Sequence, residues 1–372
     1  MSYHGRFEDQ KPPKKKMKRG KKALLIVLGV ILALIVAAVI AAVSYYKSML
    51  NKVTYVEMPT RATEVTTEAA TEATETAETT VAETTTVETT RPPMKPEDII
   101  NVLVVGQSGR AGEEARLADT MILVSLNTYT KEMTLTSFLR DTYVDLPDYM
   151  GHTCGWNKLT SCYALGYSWG KTAGAMDMMN ICLENNFGVE IDYNVEIDFD
   201  CFITVVDMLG GVEIEITQEE ADYLNADDLF VHGEYQAGRA GLDGSAALSY
   251  ARMRKAAGDN DSDIKRTDRQ RYLIKALLNN VINSTPSQVQ SILNEVLPMI
   301  TTNMSADKIT ELLLEVAPML PEMSMESGTC PVAGTYWSEL KDTPDGTVYV
   351  LCFESPQQKK LMRAITEGEG VQ

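Results

Sequence analysis

The sequence predicts an α/β fold: a sandwich built on a mixed sheet, preceded by one transmembrane helix and a disordered stalk. Three observations carry this expectation. Apolar strand-like runs interleave with helical segments from about Pro96 onward. Near the N-terminus, 21 consecutive apolar residues run without interruption. Between the two lies a tract of Thr and Glu that cannot bury enough apolar surface to fold.

Residues 1–22 form a basic tail. Nine Lys/Arg against Glu8 and Asp9 give it a charge of about +7, so the net −18 of the chain leaves roughly −25 for the remainder. The apolar run Ala23–Val43 follows. At 1.5 Å per residue it spans the roughly 30 Å hydrocarbon core of a bilayer. A cleaved signal peptide is the rival, but its apolar region is usually only about 7–15 residues, which favours an uncleaved anchor. The basic flank keeps the N-terminus cytoplasmic and places everything after the span outside. Residues 44–95 are expected to be an extracellular stalk, with Thr63–Thr90 nearly half Thr and closed by Arg91-Pro92-Pro93.

Within the folded part, Asn101–Gly106 reads as a buried strand, Thr120–Leu126 as a second and Met133–Leu139 as a third. Arg140 and Asp141 stand just past its end. Tyr143–Leu146 reads as a short edge strand. Trp156–Gly166 and Thr172–Phe187 look helical, with Gly188 as the stop. Tyr193–Phe199 is strand-like, Cys201–Leu209 an apolar helix ended by Gly210-Gly211, and Val212–Ile216 alternates strictly. Asp243-Gly244 starts a further helix. Helices over Gln288–Ile300 and Ser305–Leu320, a strand at Val348–Phe353 and a helix at Pro356–Thr366 complete the chain. Residues 96–285 then form the main domain, and 286–372 a mostly helical extension packed on it.

The most unusual stretch is Tyr250–Arg271, which holds seven Lys/Arg in an otherwise acidic chain. If Arg266 lies on a helix, Arg269 and Gln270 at i+3 and i+4 share its face. Arg252 and Arg254 would diverge by about 200° on a helix, but point to one side in extended chain. Both serve one pocket only if the preceding helix ends near Arg252. Two basic elements would then converge on a polyanion, for which the guanidinium fork is well suited. The alternative is that these arginines merely offset neighbouring acids.

Composition removes several classes. The large acidic portion argues against nucleic-acid binding. Six cysteines show no CxxC spacing, and three histidines leave little material for a metal cage or a Ser-His-Asp hydrolase. Outside the cytoplasm disulfides are permitted, and Cys330 with Cys352 is the best candidate pair.

Several segments in order resemble the LytR-CpsA-Psr family of cell-wall enzymes: ADTMILVSLN, TSFLRDTYVDLP, NKLTSCYALG, VEIDFDCFITVVDMLGGVEIEI, GLDGSAALSYARMR and DIKRTDRQR. The resemblance implies a three-layer α/β/α domain, extracellular, holding a polyprenyl lipid in an apolar tunnel. It implies a phosphotransferase moving a teichoic-acid or capsule-type glycopolymer from polyprenyl pyrophosphate to a hydroxyl of peptidoglycan, with Mg²⁺ assisting. Matched position by position, Arg140, Lys158, Arg252, Arg254, Arg266 and Gln270 would bind pyrophosphate. Asp119 would touch Mg²⁺ and take the acceptor proton. The chemistry agrees, since displacement at a pyrophosphate needs charge neutralisation and in-line positioning. The chain departs from the family pattern at Ser108, where an Asp is expected, at Leu117 in place of Arg, and at Thr160 in place of Asn. Losing the carboxylate at Ser108 weakens the expected metal site, and leaves a non-catalytic binder of lipid-linked glycan as the alternative. A transcriptional regulator is a third reading, opposed by the anchor and the acidic outer domain.

Overall fold

The computed structural model describes residues 48–59, 98–107, 118–227, 231–253 and 263–367. The basic tail, the expected span Ala23–Val43, the tract Thr63–Thr90, Ser108, Leu117 and Arg254 lie outside the described residues. Among the described residues, no helix is long and apolar enough to cross a membrane. The architecture that follows is that of the unit Leu50–Gln372.

After β1 (Thr54–Tyr55) come three long strands, β2 (Ile99–Gln107), β3 (Ala118–Asn127) and β4 (Glu132–Phe138). A hairpin of β5 (Tyr143–Leu146) and β6 (Gly155–Lys158) leads into the 29-residue helix α1 (Leu159–Phe187). Next are β7 (Tyr193–Ile197), α2 (Phe199–Met208), β8 (Val212–Ile216), α3 (Gln218–Ala226), β9 (Gly238–Leu242) and α4 (Gly244–Arg252). The basic stretch runs into α5 (Asp263–Ile282). The chain ends with α6 (Pro286–Val296), β10 (Thr301–Thr302), α7 (Ala306–Val316), β11 (Ser324–Cys330), β12 (Tyr336–Thr343), β13 (Gly346–Phe353) and α8 (Ser355–Thr366).

Among the described residues, seven strands make the central sheet, in the order β1–β10–β7–β2–β3–β4–β11. β2, β3 and β4 are antiparallel neighbours, whereas β7 runs parallel to β2 and β11 parallel to β4. The sheet is therefore mixed, as expected. Consecutive residues of β3 serve different clusters, as the pleat requires. Met121 and Leu123 pack with Met178, Met179 and Leu183 of α1, while Ile122 packs with Leu135 and with Ile274 and Leu278 of α5. A further cluster joins Val212, Ile214 and Ile216 to Ala247 and Tyr250 of α4 and Leu273 and Leu277 of α5. Helix α5 thus faces two clusters with adjacent stripes.

The two helices expected over Trp156–Gly166 and Thr172–Phe187 are the halves of α1. Gly170 and Lys171 leave helical geometry between them, Lys171 at φ +55°. The first half starts at Leu159, because Trp156 and Asn157 pair with β5 as strand. The halves approach so closely that a Cβ on Gly166 would lie 2.6 Å from the Gly174 carbonyl oxygen. Tyr143–Leu146 belongs to that separate hairpin and not to the edge of the main sheet. All six cysteines are free thiols, so the expected Cys330–Cys352 bridge is not formed. Cys330 packs in the α1 cluster, while Cys352 lies opposite Trp337 in the β12–β13 ribbon. After residue 286, four strands occur among the described residues where the sequence indicates one.

Candidate functional site

A cavity of about 680 Å³ opens between the central sheet, α2, α4 and α5. Its wall is largely apolar, with Val104 and Ile122 from the sheet, Phe202 and Ile203 from α2, and Leu248 and Leu273 from α4 and α5. Into it come Asp119, Asp198, Asp227, Arg252, Arg266 and Gln270. Such a volume is in the range that takes a ligand, and the mix suits one with an apolar body and an anionic group.

Arg252 is the last residue of α4, and Met253 turns to extended geometry at φ −55° and ψ 123°. The helix ends where the spacing of Arg252 and Arg254 requires it to. The guanidinium of Arg252 sits 4.8 Å from the centre of the Phe199 ring, a cation–π contact that holds it beside the cavity. Arg266 and Gln270 lie one turn apart on α5 and both line the cavity, Arg266 being only 3% exposed. Gln270 Nε2 donates to the Ala251 carbonyl at 3.4 Å, tying α5 to the end of α4. Arg269 differs. Its Nε donates to Glu220 Oε1 at 2.7 Å and its Nη1 to the Met253 carbonyl at 3.0 Å. Glu220 also closes the capping box of α3 with Thr217. Arg269 therefore braces the scaffold, while its helical neighbours face the cavity. Burial, then the charge of Glu220, pushes the Tyr250 phenol well up, so that it stays neutral beside Arg269.

A second group of charges lies beyond Asp119. Arg140 Nη1 donates to Asp119 Oδ1 at 2.8 Å, and its Nε is 3.7 Å from Asp141 Oδ2. Lys158 Nζ pairs with Asp141 Oδ1 at 2.9 Å. Arg140 and Lys158 are not among the residues that line the cavity; Asp119 links them to it. Thr160, at the position where Asn was expected, donates its hydroxyl to the Ala118 carbonyl at 3.0 Å. Its N–H donates to the Arg140 carbonyl at 3.0 Å, so Thr160 fixes both sides of the Asp119–Arg140 pair. Of the seven residues expected from the sequence, Asp119, Arg252, Arg266 and Gln270 meet at the cavity, Arg140 and Lys158 adjoin it, and Arg254 lies outside the described residues.

Two carboxylates at the cavity escaped sequence reasoning. Asp198 caps α2, accepting from the Cys201 N–H at 2.9 Å, and Asp227 accepts from the Ser249 hydroxyl at 2.5 Å. An Asp before an apolar helix is a legible N-cap, but nothing in that pattern reports a cavity. Burial, then the charge of Asp198, pushes the Cys201 thiol up to about 12, so it stays protonated at neutral pH. Among the described residues, no group of three or more His, Cys, Asp or Glu could enclose a metal ion. Asp119 is a carboxylate of the kind that Mg²⁺ takes, a hard cation commonly held by one or two carboxylates together with water and substrate phosphates.

Comparison with known proteins adds to this geometry. The LytR_cpsA_psr family model matches residues 54–361. A polyisoprenyl-teichoic acid–peptidoglycan teichoic acid transferase TagU from Oceanobacillus iheyensis is 32% identical over 226 residues, 60% of this chain and 64% of that protein. The match therefore spans less than two thirds of that relative's own length. Among solved structures, TagT bound to LIIa-WTA superposes with a TM-score of 0.56 at 24% identity, covering 76% of this chain and 96% of that one. The family protein YwtF (TagT) with bound octaprenyl pyrophosphate lipid gives a TM-score of 0.52 at 22% identity, covering 76% and 95%. These likenesses agree with the mixed α/β fold built on a central mixed sheet.

Proposed function

This chain belongs to the LytR-CpsA-Psr family, and on that premise we propose that it attaches a polyprenyl-pyrophosphate-linked glycopolymer, of teichoic-acid or capsule type, to peptidoglycan. The observation that carries the reading is one cavity with an apolar wall and Asp119, Arg252, Arg266 and Gln270 at it. The polyprenyl chain would lie along Phe202, Ile203 and Leu273. Its pyrophosphate would meet Arg252 and Arg266, with Arg140 turning to it from Asp119; Arg254 is assigned to the same group by the family resemblance alone. Each guanidinium about 4 Å from a phosphate charge contributes roughly 4 kcal/mol at an effective dielectric near 20. Lys158 would act through Asp141, which it shares with Arg140.

In the transfer, the acceptor hydroxyl oxygen attacks the phosphorus attached to the glycopolymer. A new P–O bond forms there, the bond to the bridging oxygen breaks, and polyprenyl phosphate leaves. Asp119 takes the hydroxyl proton once Arg140 has turned to the phosphates. Mg²⁺, held by Asp119, would supply charge neutralisation at the pyrophosphate. The architecture that accompanies this proposal is a three-layer α/β/α domain outside the cell. It would be carried on the stalk and the span Ala23–Val43, with the N-terminus cytoplasmic.

A second reading, a non-catalytic binder of lipid-linked glycan, is favoured by Ser108 at the expected carboxylate position and by the engagement of Asp119 with Arg140. Mass spectrometry of lipid co-purifying with the protein, followed by a transfer assay with lipid-linked glycopolymer and peptidoglycan, tests both readings. A polyprenyl phosphate or pyrophosphate with transfer supports the enzyme. Bound lipid without transfer, and transfer gained by Ser108→Asp, supports the binder. Absence of any polyprenyl lipid refutes both.

A further inference from the structure

Two of the three tryptophans, Trp156 and Trp337, are 51% and 48% exposed, an unusual state for the largest apolar side chain. They lie on two ribbons that are joined edge to edge. Thr142 bridges to Leu351, the Leu351 N–H donates to the Asp141 carbonyl at 2.9 Å, and Asn157 Nδ2 donates to Asp345 at 3.0 Å. Strand register puts the two rings on one face. Tyr143 lies opposite Lys158, and Trp156 opposite Asp145, so these four side chains share a side of the β5–β6 hairpin. Thr142 and Leu351 being level, Tyr143 and Cys352 fall on the same side, and Cys352 lies opposite Trp337.

The contacts follow that register. The Tyr143 and Trp156 rings are 5.1 Å apart, and Trp337 Nε1 donates to Glu339 Oε2 at 3.2 Å. Glu339 accepts from Lys341 at 2.7 Å, and the Lys341 ammonium is within electrostatic reach of the Tyr143 phenol. From β6 across β5 and β13 to β12 is three inter-strand spacings, about 14 Å. This shelf begins at the candidate site, since Lys158 joins it to Asp141, Arg140 and Asp119.

We propose that this shelf binds the neutral acceptor glycan and delivers its hydroxyl to Asp119 past the Lys158–Asp141–Arg140 group, outside the lipid cavity. The proposal rests on the transfer reading above and names the acceptor subsite within it. A pyranose ring has an apolar C–H face that packs on an aromatic ring and a rim of hydroxyls that needs polar partners. Tyr143, Trp156 and Trp337 offer the first, Asp145, Glu339, Lys158 and Lys341 the second. Two acids against two lysines leave the shelf without net charge, which favours a neutral glycan over the phosphate-bearing donor polymer. Its length suits an oligosaccharide rather than one sugar.

The test titrates the full-length chain in detergent micelles with a β-1,4-linked N-acetylglucosamine hexamer, by calorimetry and tryptophan fluorescence. Saturable binding is expected, weakened about tenfold or more by Trp156→Ala or Trp337→Ala. Tyr349→Ala, on the other face of the same ribbon, is expected to change it by less than about twofold. Trp156→Tyr and Trp337→Tyr keep a ring, are expected to recover most of the binding, and serve if an alanine variant fails to fold. Arg252→Ala should lose polyprenyl phosphate binding and keep the hexamer. The absence of saturable binding in the parent chain, or equal losses with Tyr349→Ala, overturns the proposal. So does loss of poly(glycerol phosphate) binding in place of the hexamer. Polyprenyl phosphate binding, measured in parallel, judges the transfer reading separately.

Discussion

Arg140 and Asp119 form a 2.8 Å ion pair that joins the chain just after β4 to the start of β3. The side chains are 16% and 25% exposed, so the pair is only partly desolvated. Its contribution to stability is therefore small, on the order of 1 kcal/mol. Its place beside the cavity gives it a larger part in transfer. Arg140→Ala is expected to shift the urea midpoint little and to lower the transfer rate about 10²- to 10³-fold, the usual loss when one donor to a developing charge is removed. Equal transfer rates at saturating donor would exclude the role assigned to Arg140.

Gly166 and Gly174 make a second prediction. A Cβ at either position would lie 2.6 Å from the other's carbonyl oxygen, and both partners are backbone, which cannot swing aside. Gly166→Ala should therefore force the halves of α1 apart. The expected cost is about 1–3 kcal/mol, as for overpacking in a core, read by chemical denaturation. Gly241→Ala, where a Cβ meets nothing within 4 Å, is the matched control.

How much of this was legible in the sequence depends on which forces leave a local signature. β2 and β3 were readable as apolar runs, β8 because burial alternates along it, and the start of α4 because Asp243 caps it. β11 was not. Its residues Ser324–Cys330 are mostly polar, and they form a strand because the edge of β4 pairs with them over seven positions. The same holds for β6, where pairing with β5 outweighed a helix-like pattern in Trp156–Lys158. Arg266 and Gln270 were legible as a helical face, but Arg269 on the same helix was not separable from them. What distinguishes it is Glu220, a partner 49 residues away.

The thiols give a prediction in pH. Cys201 is pushed up to about 12, and Cys162 and Cys330 are raised well above the ordinary value of 9.0, all chiefly by burial. A raised folded-state value means that the folded protein holds these protons more tightly than the unfolded chain. The stability they contribute is complete below pH 9.0 and is lost as pH rises toward the folded-state values. Stability should therefore fall between pH 9 and 12, and Cys201→Ala should flatten that slope, measured by denaturant melts across the range. Since all six thiols are free, reductant should leave the melts at pH 7 unchanged, and alkylation of the unfolded chain should add six labels.

The sharpest contrast lies within a single turn of α5. Arg269 and Glu220 are a buried pair, 7% and 10% exposed at the side chain. Removing one partner of such a pair leaves an uncompensated charge, at a cost of about 3–5 kcal/mol. Arg269→Ala should thus lower stability strongly and reduce lipid binding only in proportion to the unfolded fraction. Arg269→Ala combined with Glu220→Gln should recover part of the loss, because the stranded carboxylate is gone. Arg266→Ala, three residues earlier and facing the cavity, should instead abolish polyprenyl phosphate binding while the protein stays folded. Denaturant melts and lipid binding measured on the same three variants separate the two roles. If Arg269→Ala lost lipid binding at unchanged stability, the division of α5 into a bracing face and a binding face would be wrong.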